Sequence, residues 1–524
     1  MASATGLALL AVACVPPSAA AGRGRAAYVS GGTLTELIPT DPGNLDPLTT
    51  VTSVTRGLDA YAYDPLVNLT PNGRLVSGLA TSWTQSGTTY SFTIRHGVTC
   101  SHGSTMSPAT IAANINYMSN PKNRSPLITL FIPGGAKATA NTAASKVIVT
   151  LKKPFPFFLV ELSQIGLVCT KGLTHPSLLA DGTEGSGPYV LSSAVPGEQY
   201  TFTIRKGYAW GPGGASTNAA GMPAKIVVKV VSDPTTEADL LLGGGANIAS
   251  VQGLASKPLS GARLFHKSAA LPLGELWFNQ GSGHATATTD VRKAIVEALN
   301  LPAVGKVLSQ GEGSAPTGLV TVAPKACPGN TVAGTIPSTN RRKAESLLNA
   351  AGWKLGANGV RTKDGKALDL TVLYPTTIGG NPGTAFELVS QELKSVGVGV
   401  HLVGDDVGAL EGVIFGTGSW DITDVPIGIN TPNEAVPFVS GPAPPDGENF
   451  SHISNSAYTS LAAKAAVLPG TSGCADWNAA EKHLFRALDV VPFENASEPV
   501  WAAGATFDLV AGGIVPTSLR LLKG

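Results

Sequence analysis

The pattern of apolar and polar residues changes character about halfway along the chain. In the first half, short alternating stretches such as YDPLVNLTPNGRL and TTYSFTIRHGV are separated by turn residues, which is typical of strands and hairpins. Ser107 and Pro108 stand before ATIAANINYM and predict a helix with a serine N-cap and a proline at its first position. The stretch KVIVTLKKPFPFFLVELSQIG predicts a strand that leads into an apolar helix.

The second half has helical periodicity. TTDVRKAIVEALN places Val291, Ile295 and Leu299 on one face, and RRKAESLLNAAGW repeats this spacing before a stop at Gly352. The strand LDLTVLYP, the helix AFELVSQELKSVG and the strand VGVHLVG are predicted to follow. Helices that alternate with strands predict an α/β lobe built on a sheet.

Length and charge narrow the class of protein. A chain of 524 residues exceeds what one hydrophobic core usually serves, so we expect at least two lobes. Its 43% hydrophobic residues are typical of a folded protein rather than a disordered one. The net charge of +1 gives no basic surface for a polyanion, so we expect no nucleic-acid partner.

The N-terminus predicts export. LALLAVAC is an apolar run too short to span a membrane, and the small residues PSAAAG follow it. Two kinds of processing fit: cleavage near Ala21, or lipid attachment at Cys14, because AVAC is similar to a lipobox with Ala11 where leucine is usual. We therefore expect an extracytoplasmic protein, in the periplasm or lipid-anchored on the outer face of the cytoplasmic membrane.

The remaining cysteines favour disulfides. If Cys14 is lipidated or removed, four are left, an even number that suits two bridges in an exported protein. The pairing that keeps each bridge within its own half of the chain is Cys100–Cys169 and Cys327–Cys474. A redox or metal site is the weaker alternative, because no two cysteines are close in sequence, and we expect no metal site.

The sequence lacks two motifs that are typical of hydrolases. The chain has neither His-Glu-x-x-His nor Gly-x-Ser-x-Gly, and its eight histidines are scattered. We expect neither catalysis nor a cofactor. An exported hydrolase whose catalytic groups come from distant parts of the chain stays an alternative.

One stretch, GSGPYVLSSAVPGEQYTFTIRKGYAWGPGG, resembles the G-[ST]-G-P-Y region of the family 5 extracellular solute-binding proteins. These are the dipeptide-, oligopeptide- and nickel-binding components of ABC importers. GGTLTELIPTDPGNLDP, YDPLVNLTPNGRLVSGLATSW, LWFNQG and AESLLNAAGW occur in the family's order, so the resemblance covers residues 31 to about 523. A phosphate loop is excluded because no downstream lysine and helix start follow the glycines. We expect these glycines to form a tight turn in the scaffold.

The resemblance implies a two-lobe α/β clamshell, similar to the larger class of periplasmic binding proteins, with an extra subdomain in lobe one. The strands around LGELWFNQ and ASEPVWAAG would cross between the lobes. The implied divisions are an export signal and linker at 1–26, lobe one at 27–272 with its subdomain at about 60–190, lobe two at 273–490, and a return to lobe one at 491–524.

The implied function is capture of a small solute, a peptide or peptide-like compound, between the lobes, followed by delivery to an ABC permease. We expect a monomer. Within the same fold, a sugar, an opine or a metal chelate is the alternative solute, and a peptide-sensing surface lipoprotein without a transporter is a further alternative.

The resemblance also implies ligand-binding positions. These are Ile38, Pro39, Thr40, Asn279, Tyr374, Asp424, Pro426, Ile427, Gly428 and Asn430. In the peptide binders a carboxylate for the peptide's amino terminus follows the strand that resembles SWDITDVPIGINTP, and this chain has Asn430 at the matching position. An amide cannot make that charge-assisted contact, so a shifted register would have to use Asp424. As alternatives, Asp424 serves a strand end and Tyr374 belongs to the core.

Overall fold

The computed structural model describes residues 28–128, 130–377 and 379–523. The predicted export signal and the lipidation site Cys14 lie outside the described residues.

The strands follow one another from the N-terminal to the C-terminal part of the described chain. They are β1 (Thr33–Ile38), β2 (Val67–Leu69), β3 (Leu75–Ser77), β4 (Ala80–Ser86), β5 (Thr89–Ile94), β6 (Lys137–Asn141), β7 (Lys146–Thr150), β8 (Tyr189–Val195), β9 (Gln199–Ile204), β10 (Lys225–Val230), β11 (Ile248–Ser250), β12 (Phe265–Phe278), β13 (Lys354–Leu355), β14 (Arg361–Lys363), β15 (Lys366–Ala367), β16 (Asp369–Pro375), β17 (Gly399–Asp405), β18 (Ile422–Asp424), β19 (Val490–Ala502), β20 (Ala505–Thr506), β21 (Leu509–Val510), β22 (Gly513–Ile514) and β23 (Arg520–Leu521).

The helices lie between these strands. They are α1 (Ser53–Ala62), α2 (Pro108–Ser119), α3 (Phe158–Leu162), α4 (Thr170–Thr174), α5 (Pro234–Leu242), α6 (Lys257–Gly261), α7 (Thr289–Ala298), α8 (Leu301–Leu308), α9 (Arg341–Ala350), α10 (Pro382–Lys394), α11 (Val407–Gly412), α12 (Val436–Val439), α13 (Ser456–Ala466) and α14 (Cys474–Ala487).

One ten-stranded sheet runs through the whole molecule, in the order β17-β16-β18-β12-β19-β11-β1-β10-β9-β8. Its centre is the antiparallel pair β12 and β19, which are paired from Phe265 opposite Ala502 to Trp277 opposite Val490. The register shifts between Pro272 and Glu275. We call β12 and β19 the central ribbon.

The hydrophobic cores divide into two lobes on either side of the register shift. Lobe one, with β1 and β8–β11, holds a large core around Phe92, Tyr189 and Phe202 and a smaller one around Leu37 and Trp501. Its second sheet, ordered β4-β5-β7-β6, packs against α2. Lobe two, with β16–β18, has one core beneath α7–α10 and another around Trp277, Trp420 and Trp477. The lobe boundaries at 272/273 and 490/491 stay predictions, and Val491 and Phe493, which follow the second one, pack in a core of lobe two.

The helices that the sequence predicts from local signals are confirmed. Ser107 caps α2 by accepting a hydrogen bond from Thr110 N at 3.1 Å, and Pro108 begins the helix. In lobe two, α7, α9 and α10 form where the apolar spacing predicts them, with α10 between the parallel strands β16 and β17. Gly352 follows α9 with a φ of 88°, in the left-handed region that glycine favours.

The stretch that carries the family resemblance packs around one buried carboxylate, Asp64. Ser186 Oγ donates to it at 2.8 Å, Tyr208 OH at 2.6 Å and Trp210 Nε1 at 2.9 Å. Burial raises the pKa of Asp64 to about 6, and these donors partly offset that rise. The motif is therefore scaffold that joins β8 and β9 to the end of α1.

The two glycines of this motif are required for close packing rather than for a turn. A Cβ atom at Gly185 or at Gly187 would overlap the backbone of Ala62, at the end of α1. Neither glycine has a positive φ. The expectation of a tight turn is therefore corrected: the missing side chains let two backbone segments touch.

The structure joins the cysteines in the expected pairs. Cys100 and Cys169 cross-link lobe one, with 6.2 Å between their Cα atoms. Cys327 and Cys474 cross-link lobe two, with 5.1 Å between theirs. In the described part of the chain, no helix is both long enough and apolar enough to cross a bilayer.

Because three buried donors converge on Asp64, we expect Asp64→Ala to lower the free energy of unfolding by about 3 kcal/mol, since the donors lose their acceptor. Chemical denaturation at pH 7 measures this change. The matched control is Asp239→Ala, which removes an exposed aspartate from α5 and is expected to change the stability by less than about 0.5 kcal/mol. Equal stabilities of the two variants would contradict the role given to Asp64.

Candidate functional site

The two lobes touch where α3 of lobe one meets the loop that follows β18 of lobe two. Thr431 Oγ1 lies 2.8 Å from Glu161 Oε1, and Gln164 Nε2 lies 3.5 Å from Asn430 Oδ1. Phe157, just before α3, packs into the core of lobe two around Trp277. We call the polar groups at this contact the interlobe cluster: Arg56, Glu161, Gln164, Asn430, Thr431 and Glu434.

Local structure presents the cluster residues to one another. In lobe one, α3 is a single short helix after the prolines of PFPFF, and it carries Glu161 in its first turn. In lobe two, Pro432 begins a 3₁₀ turn that carries Glu434 and that is preceded by Thr431. Glu434 Oε1 lies 2.9 Å from Thr431 Oγ1, so each lobe brings one carboxyl group to the same hydroxyl.

Further hydrogen bonds connect the cluster within each lobe. Gln164 Nε2 donates to Glu161 Oε2 at 3.0 Å, and Arg56 donates from Nη2 to the Gln164 carbonyl at 3.1 Å. In lobe two, the backbone N–H of Asn430 donates to Glu434 Oε2 at 3.3 Å. The cluster is thus a continuous polar network across the contact.

Burial controls the charges of the network. Glu161 is fully buried, and burial raises the pKa of its carboxyl well above the usual range, with a further rise from the charge of Glu434. Burial also raises the pKa of Glu434, to about 6. The guanidinium of Arg56, 4.7 Å from the centroid of the Phe131 ring, is the cation that acts on both carboxyl groups.

The predicted residues Pro426, Ile427, Gly428 and Asn430 form a path from β18 to the cluster. Ile427 N donates to Glu275 Oε2 of the central ribbon at 3.0 Å. Gly428 is exposed, next to Pro272 at the register shift. Asn430 then enters the cluster, where its Nδ2 is buried without a hydrogen-bond partner in the described structure. A solute acceptor could take this donor.

Asp424 lies inside lobe two rather than at the interlobe contact. It is 1% exposed, and its Oδ1 accepts a hydrogen bond from Glu275 N at 2.8 Å. Burial raises the pKa of Asp424 to about 8, so the carboxyl is mostly neutral at pH 7. The geometry favours the strand-end alternative for Asp424 over an ammonium anchor.

Asn279 and Tyr374 make their contacts within lobe two. The amide of Asn279 donates to the carbonyls of Gly418 and Trp420, and its Oδ1 accepts from Gly281 N. The ring of Tyr374 stacks on Phe386, with 4.9 Å between centroids. As ligand positions both stay predictions, and neither is joined to the interlobe cluster by these contacts.

Ile38, Pro39 and Thr40 lie at the end of β1 in lobe one. The carbonyl of Ile38 accepts a hydrogen bond from Val231 N, while Pro39 and Thr40 are exposed. The following Asp41 is held by Tyr200 OH at 2.7 Å. Ligand binding by these three residues stays a prediction.

Five residues of the cluster were not predicted from the sequence: Arg56, Glu161, Gln164, Thr431 and Glu434. Two signals were available in the sequence. Glu161 is a lone acidic residue in the apolar run PFPFFLVELSQIG, and Glu434 is a carboxylate four residues after Asn430. A charged residue in an apolar segment indicates a buried partner or a functional site.

Within the described residues, no group of three or more His, Cys, Asp and Glu side chains is arranged to hold a metal ion.

Comparison with known proteins gives similar chains over most of the length. The chain is 26% identical over 368 residues to the nickel-binding periplasmic protein of Escherichia coli (strain K12), an alignment that covers 66% of this chain and 66%, just under two thirds, of that relative. It is 26% identical over 396 residues to the glutathione-binding protein GsiB of the same strain, covering 71% of this chain and 70% of that one.

A solved structure shows the same fold. It is the substrate binding protein from Microbacterium hydrocarbonoxydans complexed with 4-hydroxybenzoate hydrazide, with a TM-score of 0.71 and 25% sequence identity. The similarity covers 94% of this chain and 100% of that chain. All three proteins are described as binding proteins, and none as an enzyme.

The family model described as bacterial extracellular solute-binding proteins, family 5 middle, matches residues 74–422, which is more than half of the chain. Together with the two-lobe α/β fold, this match shows that the chain belongs to the family 5 bacterial extracellular solute-binding proteins.

Proposed function

We propose that this protein captures a small peptide or peptide-like solute between its two lobes and delivers it to an ABC permease in the membrane. The observation that carries the proposal is the interlobe cluster, in which side chains from both lobes converge on one contact. A solute that replaces some of these contacts can hold both lobes at once. Binding between lobes then couples recognition to closure.

The polar groups of the cluster suit an amide-containing solute. Gln164 and Asn430 carry side-chain amides, which donate and accept hydrogen bonds as a peptide group does. The unpartnered Nδ2 of Asn430 offers a donor to a solute carbonyl. Among the relatives, one binds glutathione, itself a tripeptide, and the solved structure holds a hydrazide.

Peptide binders of the family have a carboxylate at the position that matches Asn430. In this chain, two glutamates lie close to Asn430. Asn430 is an amide, yet its own backbone N–H contacts Glu434, and Gln164 links its side chain to Glu161. A solute ammonium group placed beside Asn430 would face these two carboxyl groups. We therefore propose that the ionised member of the Glu161–Glu434 pair supplies the negative charge that Asn430 lacks.

The proposal also covers the oligomeric state, the location and the processing of the protein. The protein acts as a monomer, without catalysis and without a cofactor, in the extracytoplasmic space. Its N-terminus is either cleaved near Ala21 or lipid-anchored at Cys14. A sugar, an opine or a metal chelate, such as the nickel relative suggests, is the alternative solute.

A thermal-shift panel tests the solute class. We expect a di- or tripeptide, or a related amide, to raise the melting temperature. A solute at about one hundred times its Kd adds about 2.7 kcal/mol to the stability of the bound form. The panel includes sugars, opines and nickel chelates. A shift with these solutes alone would replace the peptide proposal, and no shift with any solute would contradict capture by this cleft.

With the solute identified, we expect Asn430→Ala to weaken binding about fivefold, because about 1 kcal/mol of hydrogen bonding to the solute is lost. Isothermal titration calorimetry measures the Kd. The matched control is Asn218→Ala, which removes an exposed asparagine from lobe one and is expected to leave the Kd unchanged. Equal affinity of both variants would remove Asn430 from the binding site.

Asp424 gives a separate test based on pH. Its folded-state pKa of about 8 lies above the ordinary value for aspartate, so the stability that it contributes is full below about pH 4 and is lost as the pH rises through 8. Relative to the wild type, Asp424→Asn should therefore gain stability from pH 5 to pH 8 in chemical denaturation. It should keep its affinity for the solute, as should the exposed control Asp239→Asn. Loss of binding in Asp424→Asn would restore Asp424 as the anchor.

A further inference from the structure

Two carboxyl groups from opposite lobes share one hydroxyl. Thr431 Oγ1 is 2.8 Å from Glu161 Oε1 and 2.9 Å from Glu434 Oε1, and both distances are those of hydrogen bonds. A threonine hydroxyl has a single hydrogen and can donate to only one of the two oxygens. The second contact needs a hydrogen from the other side, which only a protonated carboxyl group can supply.

The charges around this contact lead to the same conclusion. Lobe one contributes Arg56 and Asp59 from α1 and Glu161 from α3, and lobe two contributes Glu434. Gln164 and Asn430 are neutral. Burial raises the pKa of Asp59 well above its usual range, which favours the neutral form of that carboxyl group. Arg56 can balance one of the two glutamates. A second buried carboxylate would have no countercharge, which costs several kcal/mol.

We propose that the Glu161–Thr431–Glu434 contact is a proton-dependent latch, in which the two lobes close only when one of the two carboxyl groups holds a proton. When the lobes separate, both carboxyl groups return to water and the proton is released. The inference rests on the proposed function only in requiring that the lobes open and close. It assigns no solute to the contact.

The direction of the pH effect follows from burial. In the open form, the solvated glutamates have ordinary pKa values of about 4.3. In the closed form, burial raises the pKa of Glu434 to about 6 and that of Glu161 further above its usual range. The closed form is therefore fully favoured below about pH 4, and it is progressively lost as the pH rises through 6 and beyond. For one proton, the closing constant falls about tenfold per pH unit over this interval.

The test uses the full chain without solute. Small-angle X-ray scattering measures the radius of gyration from pH 5 to pH 8, and we expect the wild type to be more compact at pH 5. Glu161→Gln and Glu434→Gln each replace a carboxyl group, which can lose its proton, with an amide group, whose NH2 donates at every pH. Each variant should remain compact at pH 8 and lose most of the pH dependence. The matched control Glu411→Gln changes an exposed glutamate of α11 and should follow the wild type.

Two results would overturn the latch. One is a wild-type radius of gyration that does not change between pH 5 and pH 8, and the other is a wild-type pH dependence that persists in both glutamine variants. Addition of the solute at pH 8 separates this failure from failure of the proposed function. Compaction by the solute without any effect of pH contradicts the latch alone, whereas no compaction under either condition contradicts both proposals. Circular dichroism confirms that each variant is folded, and two independent variants keep the test valid if one does not fold.

Discussion

The continuous pairing of β12 with β19 is the constraint on which the rest of the structure depends. Backbone hydrogen bonds along this central ribbon extend from one lobe into the other, so the lobes are parts of one sheet. The regular pairing of the ribbon is interrupted at its register shift. There Pro272 has no N–H to donate, and a Cβ atom at Gly274 would overlap the ring of Phe493. We expect the proposed movement of the lobes to bend the ribbon at this point.

The same point connects the ribbon to the cleft. Glu275, immediately after the shift, holds Asp424 through its backbone N–H and Ile427 through its side chain. The chain from Ile427 to Asn430 leads directly into the interlobe cluster. Two hydrogen bonds thus connect the ribbon to the chain segment that ends at Asn430. This gives a physical route between hinge bending and the groups that would contact a solute.

Two opposing contributions determine the stability of the interlobe cluster: its hydrogen bonds and the cost of burying its charged groups. Hydrogen bonds between Thr431, Glu161 and Glu434 favour contact between the lobes, while removal of two carboxyl groups and a guanidinium from water opposes it. A contact made of apolar groups alone would carry no such opposing cost. A solute can shift an equilibrium between open and closed forms only when the two differ by a few kcal/mol, and a polar contact of this kind keeps the difference small.

Local signals in the sequence predict the helices and strands. They do not predict contacts between residues that are far apart in the chain. The start of α2 could be predicted because Ser107 caps its own helix, within three residues. Thr431 and Glu161 are 270 positions apart, so no local pattern could pair them. Family resemblance led to Asn430, which does reach the interlobe contact. The resemblance also led to Tyr374, whose ring stacks on Phe386 of α10. The alternating pattern of a strand does not predict this contact with a helix. Likewise, the glycines at 185 and 187 indicated special backbone, and only the fold shows that the reason is contact with α1.

Amide hydrogen exchange with and without solute tests the central claim most directly, namely that the lobes close around an intact ribbon onto the interlobe cluster. The account predicts that solute slows exchange at residues 156–164 in lobe one and at residues 426–434 in lobe two together, while amides paired between β12 and β19 stay protected in both states. Slower exchange confined to one lobe, or loss of protection along the ribbon when the solute is removed, would contradict it.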